Sequence, residues 1–271
     1  MTNDRTKEWN ATLYHQISAP QVSWGKKVMA RISLRGHERV LDAGCGTGRL
    51  TRDLLEALPE GHVVALDVSQ NMIQAARAYL EPDFQDRVEF VCSDLLDLPF
   101  ENEFDGIFST ASFHWVLDHE RLFGTLHRGL RPGGWLVAQC GGAGNLTRFL
   151  GQVERLMKAP AYAPFFAGYR SPWEFSDAQT AAARLQAAGF TEIETSLEET
   201  PVTFSTAAEF QQFVESVILR HHLQRLPDIK LRHDFLAELT DWAAHQPTPF
   251  LLDYWRLNLC ARRSSGVRHI P

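Results

Sequence analysis

The chain has 271 residues, 44% of them hydrophobic, and its 27 Lys and Arg against 33 Asp and Glu give a formal net charge of −6. This composition supports a substantial core and excludes a chain that is disordered as a whole. The negative charge offers no overall attraction to phosphate polymers, so we expect no nucleic-acid partner, although a local basic patch is left open. The polar first residues do not fit a signal peptide, and no stretch approaches the ~18 consecutive apolar residues of a membrane span, so we expect a cytoplasmic protein.

The N-terminal segment, residues 1–35, has the spacing of a helix and carries two aromatic side chains, Trp9 and Tyr14. It could fold as a lid over a binding site, in which case both rings would contact a substrate. A peripheral helix that the two rings anchor to the rest of the protein explains the pattern equally well.

From Val40 onward, short apolar runs alternate with segments of helical period. Runs that are apolar on both faces and alternate with helices are typical of a parallel, doubly wound α/β sheet, and right-handed crossovers leave few alternative topologies. The predicted strands are "RVLDAG", "HVVALDV", "RVEFVCSD", "FDGIFSTA" and "GWLVAQCGG". The predicted helices are "TRDLLEALP", "QNMIQAARAYL" and "ERLFGTLHRGLRPGG", the last ending in a Pro-Gly-Gly stop.

After Gly142 the alternation stops. Residues 145–173 are predicted to be helical with aromatic interruptions, and "SDAQTAAARLQAAGF" predicts a helix with Ser176 or Asp177 as N-cap and Gly189 as C-cap. A strand, "TEIETSLEETPVTF", follows it. Two amphipathic helices, "TAAEFQQFVESVILRHHLQRLP" and "KLRHDFLAELTDWAAHQ", precede a last strand, "FLLDYWRLNLCARR".

The late helices can only lie at the edge or top of the sheet, and we interpret them as a cap over the ligand crevice. The predicted division is 1–35 as an N-terminal helical lid, 36–142 as the ligand-binding core, 143–175 as a helical cap insertion, 176–204 as a core helix and strand, 205–248 as a helical cap, 249–263 as the final core strand and 264–271 as a tail.

The four cysteines, Cys45, Cys92, Cys140 and Cys260, lie far apart in the chain. Three of them fall at or beside predicted strand ends. This distribution predicts buried thiols rather than a disulfide framework or a metal site.

The segment "VLDAGCGTGRL" joins the first predicted strand to the helix after it and places glycine at positions 44, 46 and 48. In a doubly wound sheet this turn brings backbone closest to a ligand at the carboxyl ends of the strands. Glycine there permits positive φ and leaves the amides of the helix N-terminus open. A dinucleotide fingerprint would have its third glycine where Arg49 stands, and the Lys-Ser/Thr pair of a P-loop is missing, so both phosphate-binding interpretations are weakened.

Three acids follow three successive predicted strands. Asp42, beside the glycine turn, would repel a pyrophosphate but could accept a hydrogen bond from an ammonium group. Asp67 could accept both hydroxyls of a ribose. Asp94 could accept a hydrogen bond from an exocyclic amine, with Leu95 against a flat ring. The acids therefore predict a ligand with an amine, a ribose and an adenine.

Five segments, "VLDAGCGTG", "ALDVSQNMI", "VCSDLLDLPF", "FDGIFSTASFHWV" and "LRPGGWLVAQ", resemble the successive motifs of class I S-adenosylmethionine-dependent methyltransferases over residues 38–140. Within that superfamily, "WNATLY" and "SFHWV" are similar to the trans-aconitate and malonyl-acyl-carrier-protein carboxyl methyltransferase group. The resemblance implies a seven-stranded, Rossmann-like sheet whose last strand is antiparallel and lies between the fifth and sixth. It also implies S-adenosylmethionine as the cofactor.

Single residues take roles from this resemblance. The glycine turn would frame the methionine part, Asp67 would bind the ribose, and Ser109 would offer its backbone carbonyl to the ligand amine. Asp67 and Asp94 could each merely cap a helix, since acids before helices are common, but the set beside the glycine turn favours a cofactor site. The candidate cofactor-binding residues are Asp42, Gly44, Gly46, Gly48, Asp67, Val68, Met72, Ser93, Asp94, Leu95 and Ser109.

Methyl transfer from a sulfonium is an in-line displacement, so the protein mainly aligns the reactants and excludes water. A carboxylate acceptor needs no base at neutral pH. A phenol, amine or hydroxyl acceptor usually does, and His114 is then the candidate catalytic base because it follows the fourth strand. His114 could instead bond the cofactor or pack beside Trp115.

The predicted cap carries candidate substrate-binding residues. An arginine at position 170 or 220 could pair with a substrate carboxylate, although surface arginines are far commoner than ligand-binding ones. Adjacent histidines at 221 and 222 diverge on a helix, so we predict no metal site. The candidate substrate residues are Trp9, Tyr14, Trp115, Tyr169, Arg170 and Arg220.

The sequence thus predicts an S-adenosylmethionine-dependent methyltransferase that acts on a small molecule, at a carboxylate oxygen. One alternative is another small acceptor, such as a phenol, an amine or a lipid-like metabolite, with His114 as base. A second is an RNA or protein methyltransferase, which the negative charge disfavours. A third is a cofactor-binding protein without catalysis.

Overall fold

The computed structural model describes residues 8, 9, 11 and 19–265. It divides into two compact units, which are described separately. The first comprises the described parts of Met1–Ala143, Trp173–Glu198 and Arg256–Pro271, and the second comprises Gly144–Pro172 and Glu199–Trp255. No helix in the described ranges has both the length and the hydropathy to cross a membrane. The predicted cytoplasmic location stays a prediction.

A seven-stranded sheet in the order β3-β2-β1-β4-β5-β9-β6 forms the centre of the first unit. Strands β1 to β5 pair in parallel, and β9 runs antiparallel to β5. The predicted doubly wound sheet and the antiparallel strand between the fifth and sixth are therefore confirmed. The strands are β1 (Arg39–Ala43), β2 (His62–Asp67), β3 (Val88–Cys92), β4 (Phe104–Thr110), β5 (Leu130–Gly141), β6 (Phe190–Glu199) and β9 (Trp255–Arg263).

Helices cover both faces of this sheet because each presents an apolar stripe to it. One apolar cluster contains Leu54, Ile73 and Val28, and the cluster on the opposite face contains Leu122 and Leu185. Full burial of such a side chain contributes about 1.5–3 kcal/mol. The first cluster takes residues from α1 (Ala19–Met29), α2 (Arg49–Ala57) and α3 (Gln70–Phe84), and the second from α4 (His119–Gly129) and α6 (Ala178–Ala187). Short 3-10 turns span Gln85–Arg87, Leu95–Asp97 and Phe113–Trp115.

Two boundaries in the first unit are now defined. Asp177, one of the two predicted N-caps, accepts the Thr180 amide at 2.8 Å and begins α6. The helix predicted over "ERLFGTLHRGLRPGG" ends earlier than expected, at Gly129, and β5 already begins at Leu130. The reason is Pro132, which disfavours helical backbone in the residue before it.

The second unit contains α5 (Thr147–Met157), α7 (Ala207–Phe213), α8 (Arg220–Leu223), α9 (Ile229–Ala244) and a two-stranded sheet of β7 (Val202–Thr203) and β8 (Leu251–Leu252). A 3-10 turn spans Ala163–Phe165, and a π-helical segment, Val214–Ile218, separates α7 from α8. The long helix predicted over this region is therefore interrupted. The strand predicted over "TEIETSLEETPVTF" is also wrong as a single element, because Pro201 lies between β6 and β7 and cannot donate to a ladder.

The cysteine prediction was correct in part. All four cysteines lie in the described part of the chain, where none of them forms a disulfide, and Cys45 and Cys140 are buried. Cys260 is half-buried, whereas Cys92 is exposed, so the prediction of a buried thiol is wrong for Cys92. Cys92 ends the edge strand β3, whose outer side is covered by no further strand of the described residues.

Candidate active site

The glycine turn between β1 and α2 has the backbone that only glycine adopts readily. Gly44, Gly46 and Gly48 have φ of +89°, +54° and +82°. The Gly44 amide donates to the Leu66 carbonyl on β2 at 2.8 Å. A Cβ at position 44 would lie 2.0 Å from Ser112 Oγ, so the segment after β4 leaves no room for a side chain there.

We expect Gly44→Ala to destabilise the first unit by about 1–3 kcal/mol, because alanine would hold a left-handed backbone and collide with Ser112. Thermal unfolding measures this effect. The control is Gly124→Ala in α4, where no neighbouring atom lies within 4 Å of the added Cβ, so a helix-forming residue should be neutral or stabilising. Equal melting temperatures for the two variants would contradict the strain argument.

Asp67 links the glycine turn to the start of α3. Its carboxylate accepts the Gly46 amide at 3.0 Å and the Ser69 amide at 2.9 Å. Burial raises the pKa of Asp67, the backbone hydrogen bonds oppose that rise, and the negative charge of Glu8 adds to it.

Glu8 was not predicted from the sequence. Its carboxylate accepts hydrogen bonds from Ser69 Oγ at 3.0 Å and from the amides of Gln70 and Asn71 at 3.1 Å each. An acid at a helix N-terminus is favoured by the helix dipole. Residues 8 and 9 are thereby held at the start of α3, beside Asp67.

Asp42 is the last residue but one of the buried strand β1 and is 2% exposed. It accepts a hydrogen bond from Thr51 Oγ1 at 2.6 Å. Burial raises the pKa of Asp42 to about 7, the Thr51 hydroxyl opposes the rise, and the charge of Asp67 adds to it. The two carboxylates therefore disfavour each other as anions, and a cation between them would relieve that cost.

Asp94, which follows the end of β3, caps the next turn and can accept further hydrogen bonds. Asp94 Oδ1 accepts the Leu96 amide at 3.0 Å and caps the turn Leu95–Asp97, while the Ser93 amide donates to the Asp67 carbonyl at 3.1 Å. The capping alternative thus holds for Asp94. A carboxylate accepts several hydrogen bonds, so a cofactor role is compatible with the cap. Leu95 is 8% exposed within an apolar cluster.

Two further cofactor candidates, Val68 and Met72, lie at the start of α3. Met72 is 3% exposed, and its amide donates to Ser69 Oγ at 3.3 Å. Val68, between Asp67 and the N-cap Ser69, is half-buried.

The end of β4 is tied to the glycine turn. Ser109 Oγ donates to the Ala43 carbonyl at 2.6 Å, and Ser112 Oγ to the Gly44 carbonyl at 3.2 Å. Between them, Ala111 has a φ of +55° and donates its amide to the Gln139 carbonyl at 2.8 Å. Ser109 is buried and precedes the last residue of the strand, Thr110.

The His114 ring is buried, and one backbone hydrogen bond sets its orientation. Burial, and then the charges of Arg256 and His119, hold its pKa well below the usual value. Its Nδ1 accepts the Gly141 amide at 3.2 Å. A neutral imidazole whose Nδ1 accepts a hydrogen bond carries its proton on Nε2, where it donates. To take a proton from a substrate, Nε2 would have to be unprotonated. The neutral ring would then carry its proton on Nδ1, and that N–H would face the N–H of Gly141, so two donors would meet.

An aromatic wall, defined as Trp9, Trp115, Trp173 and Phe175, adjoins His114. Trp115 meets Trp9 edge-on at 5.4 Å between ring centroids and Trp173 at 5.6 Å. Trp173 stacks on Phe175 at 5.8 Å, and His114 lies 6.0 Å from Phe175. The structure thus brings the predicted substrate residues Trp9 and Trp115 together. It also places Trp173 and Phe175 beside them, and neither of these two was among the candidate substrate residues. Tyr14 lies outside the described residues.

The other substrate candidates lie in the second unit. Tyr169 Oη is 3.1 Å from His222 Nε2. Burial raises the pKa of Tyr169 and lowers the pKa of His222 to about 4. Arg170 is exposed and Arg220 is half-buried. Their contact with an acceptor stays a prediction.

Comparison with known proteins places this geometry in a family. Residues 40–134 match the model of a methyltransferase domain. An uncharacterized methyltransferase of Schizosaccharomyces pombe is 30% identical over 191 residues, which cover 67% of this chain and 70% of that protein. The chain belongs to the S-adenosylmethionine-dependent methyltransferase family. The predicted family and cofactor are confirmed.

Other relatives of this methyltransferase are more limited in extent. Trans-aconitate 2-methyltransferase of Acidovorax ebreus is 35% identical over 132 residues, and that of Shigella flexneri is 37% identical over 132 residues. Each match covers 49% of this chain, and 49% and 50% of the relative, so the chain spans about half the length of these relatives.

Solved structures of low identity share the fold of the methyltransferase. Phosphoethanolamine N-methyltransferase 2 of Haemonchus contortus, in complex with phosphomonomethylethanolamine and S-adenosylhomocysteine, has a TM-score of 0.62 at 17% identity, covering 94% of this chain and 57% of that one. A methyltransferase described as putative, from Bacillus halodurans, has a TM-score of 0.62 at 20% identity, covering 89% and 99%.

The residues of the methyltransferase fit the cofactor of its family. S-adenosylmethionine carries a sulfonium and an ammonium group, and the glycine turn lies next to two carboxylates, Asp42 and Asp67, whose pKa values burial raises. A bound cation stabilises such carboxylates in the ionised form. The turn itself supplies bare backbone at the carboxyl ends of β1 and β4.

Proposed function

We propose that the protein transfers the methyl group of S-adenosylmethionine to a carboxylate oxygen of a small acid. The observation that carries the acceptor class is the hydrogen bond from the Gly141 amide to His114 Nδ1, in a ring whose pKa burial holds well below the usual value. In the neutral ring this bond leaves the proton on Nε2, where it can donate. A site that offers a proton there suits an acceptor already ionised at neutral pH, because a carboxylate needs no base. The names of the trans-aconitate 2-methyltransferase relatives support the same class.

The proposed cofactor contacts follow the strand ends. The glycine turn and Asp42 hold the methionine part, with Asp42 facing its ammonium group and the Ser109 carbonyl as a further acceptor. Asp67 accepts the ribose hydroxyls. Val68, Met72, Ser93, Asp94 and Leu95 enclose the adenine.

The chain's own contribution to the reaction is alignment and shielding. The sulfonium of the bound cofactor supplies both the activated methyl group and the leaving group. His114 donates from Nε2 toward the acceptor and keeps its own proton throughout. Trp9, Trp115 and Trp173 keep water from the reacting atoms. Correct alignment of two reactants can contribute about 7–11 kcal/mol to lowering a barrier.

The acceptor class is tested with radiolabelled S-adenosylmethionine and a panel of aconitate, malonyl thioesters, hydroxy acids and fatty acids. We expect at least one acid to be labelled and the product to release volatile methanol on treatment with base, since methyl esters hydrolyse. His114→Gln should retain a substantial part of the activity, because glutamine can still donate a hydrogen bond. A base-stable product, or a pH profile governed by a group at position 114, would contradict carboxylate methylation.

A further inference from the structure

Buried polar side chains cross the face of the sheet that α1 covers. Gln139 on β5 and Asn258 on β9 are register partners, and both are at least 96% buried. They share a face with Val137, two residues before Gln139, because side chains alternate along a strand. Val137 belongs to the apolar cluster that includes Val28 of α1. Gln139 and Asn258 therefore lie on the α1 side of the sheet, among apolar neighbours.

The hydrogen bonds that link Gln139, Asn258 and Glu198 in a row have a fixed direction. Asn258 Nδ2 donates to a Glu198 carboxylate oxygen at 3.4 Å and to Ser196 Oγ at 3.5 Å. Asn258 must therefore present its amide oxygen to Gln139, whose Nε2 donates to it at 2.8 Å. Gln139 in turn must point its own Oε1 away from the row.

The open end of the row is an unmatched acceptor. Among the described residues, Gln139 Oε1 has no hydrogen-bond partner although it is fully buried. The same holds, within residues 19–265, for Oε1 of Gln21, which is 8% exposed and lies one turn before Trp24 on the buried face of α1. Buried acceptors without a donor are costly and unusual, so these two call for a ligand that donates hydrogen bonds.

Arg256 places a cation on the same face. It is the register partner of Gly141, two positions along from the Gln139 pair, and it is 2% exposed. Its guanidinium lies 4.6 Å from the ring centroid of Trp24. Its charge lowers the pKa of His114, so it lies near the residue that donates toward the reacting acceptor in the proposed function.

We propose that Gln21, Gln139 and Arg256 form a subsite for the methyl acceptor, and that this acceptor is a small acid with two or more carboxyl groups and a hydroxyl or amino group. Arg256 binds one carboxylate, and the two amide oxygens accept from the hydroxyl or amino group. A carboxylate held by a guanidinium has its oxygens engaged, so a second carboxyl group receives the methyl. The choice of acceptor rests on the proposed function.

The location relative to the cofactor turn is consistent with this role. Thr110 of β4 is the register partner of Gln139, and the Ala111 amide donates to the Gln139 carbonyl. Ser112, the residue after Ala111, donates from its Oγ to the Gly44 carbonyl at 3.2 Å. The subsite is therefore one strand away from the strand end that adjoins the glycine turn.

Calorimetry with two probe acids, malate and succinate, tests the subsite on protein saturated with S-adenosylhomocysteine. The acids differ only in the hydroxyl of malate. We expect malate to bind about tenfold more tightly than succinate, and Arg256→Gln to weaken both by about 10- to 100-fold. Gln139→Leu should remove the preference for malate while leaving the binding of succinate. The matched control is Arg262→Gln, an exposed arginine on β9 that pairs with Glu192 at 3.3 Å.

A second measurement guards against a misfolded variant. Arg256→Gln should raise the pKa of His114, measured by NMR, and should leave cofactor affinity unchanged; Arg256→Lys should recover part of the acid binding. The subsite is overturned if neither acid binds the wild-type protein, or if both bind Arg256→Gln and Arg262→Gln equally. It is also overturned if Gln139→Leu keeps the preference for malate. That result is expected if Oε1 of Gln21 and Gln139 bind only water.

These outcomes separate the subsite from the proposed function. Formation of a methyl ester by wild-type protein and by Arg256→Gln with the same KM overturns the subsite and leaves carboxylate methylation standing. Acid binding that depends on Arg256, without a methyl ester from any acid of the panel, overturns carboxylate methylation and leaves the subsite standing.

Discussion

Asp67→Ala is expected to lower the affinity for S-adenosylmethionine by about 100-fold or more. A carboxylate that accepts two ribose hydroxyls makes two charge-assisted hydrogen bonds, each contributing about 1.5–3 kcal/mol. The same change removes the acceptor of the Gly46 and Ser69 amides, so the glycine turn also loses its link to α3. Calorimetry with S-adenosylhomocysteine measures the loss.

The control for this variant is Asp97→Ala, another acid of the first unit, whose side chain is 67% exposed and pairs with Arg121 at the surface. It should bind the cofactor like the wild-type protein. Asp67→Asn separates the two roles, since an amide oxygen can still accept one backbone hydrogen bond. Wild-type affinity in Asp67→Ala, with an unchanged melting temperature, would exclude Asp67 as the ribose ligand.

Cofactor binding is expected to become tighter as the pH rises from about 5.5 to 7 and to level off above 7. The pKa of Asp42 is raised to about 7 in the folded protein, so below that pH its carboxyl must release a proton before it can pair with an ammonium group. Affinity should change by at most tenfold per pH unit in this window. Asp67 and Cys45 interact electrostatically with Asp42, and burial raises the pKa of both.

The same shift sets the sign of the effect on folding. Because the pKa of Asp42 is higher in the folded than in the unfolded protein, its contribution to stability is complete below about pH 4 and is lost as the pH rises through 7. Asp42→Asn should flatten both the pH dependence of binding and this part of the stability profile. Calorimetry in buffers of different ionisation enthalpy measures the proton released. Proton release that is unaltered in Asp42→Asn would show that Asp42 does not face the ligand.

The sheet and the glycine turn could be predicted from local signals alone. Strands buried on both faces give continuous apolar runs, and the period changes to that of a helix after each run. Glycine at 44 and 48 was informative because the backbone there is left-handed. Asp42 and Asp67 could also be placed at strand ends, because each directly follows an apolar run.

The contacts that cross the sheet could not be predicted in this way. Arg256 lies within the run "FLLDYWRLNLCARR", where a cation between apolar residues was the available signal. Its neighbours depend on the β5–β9 register. Gln139 and Asn258 are 119 residues apart. Glu8 gave no local signal, because the helix that it meets begins 62 residues later.

The spacing of β9 has a consequence for synthesis on the ribosome. Strands β1 to β5 are complete by Gly141, whereas their partner β9 begins only at Trp255. A nascent chain can therefore assemble the strands that carry the candidate cofactor residues while more than a hundred residues remain to be translated, and Arg256 joins the sheet afterwards. Long-range pairing of this kind folds slowly, so we expect a stalled ribosomal complex ending near residue 200 to retain the cofactor but to lack the anchor for an acid.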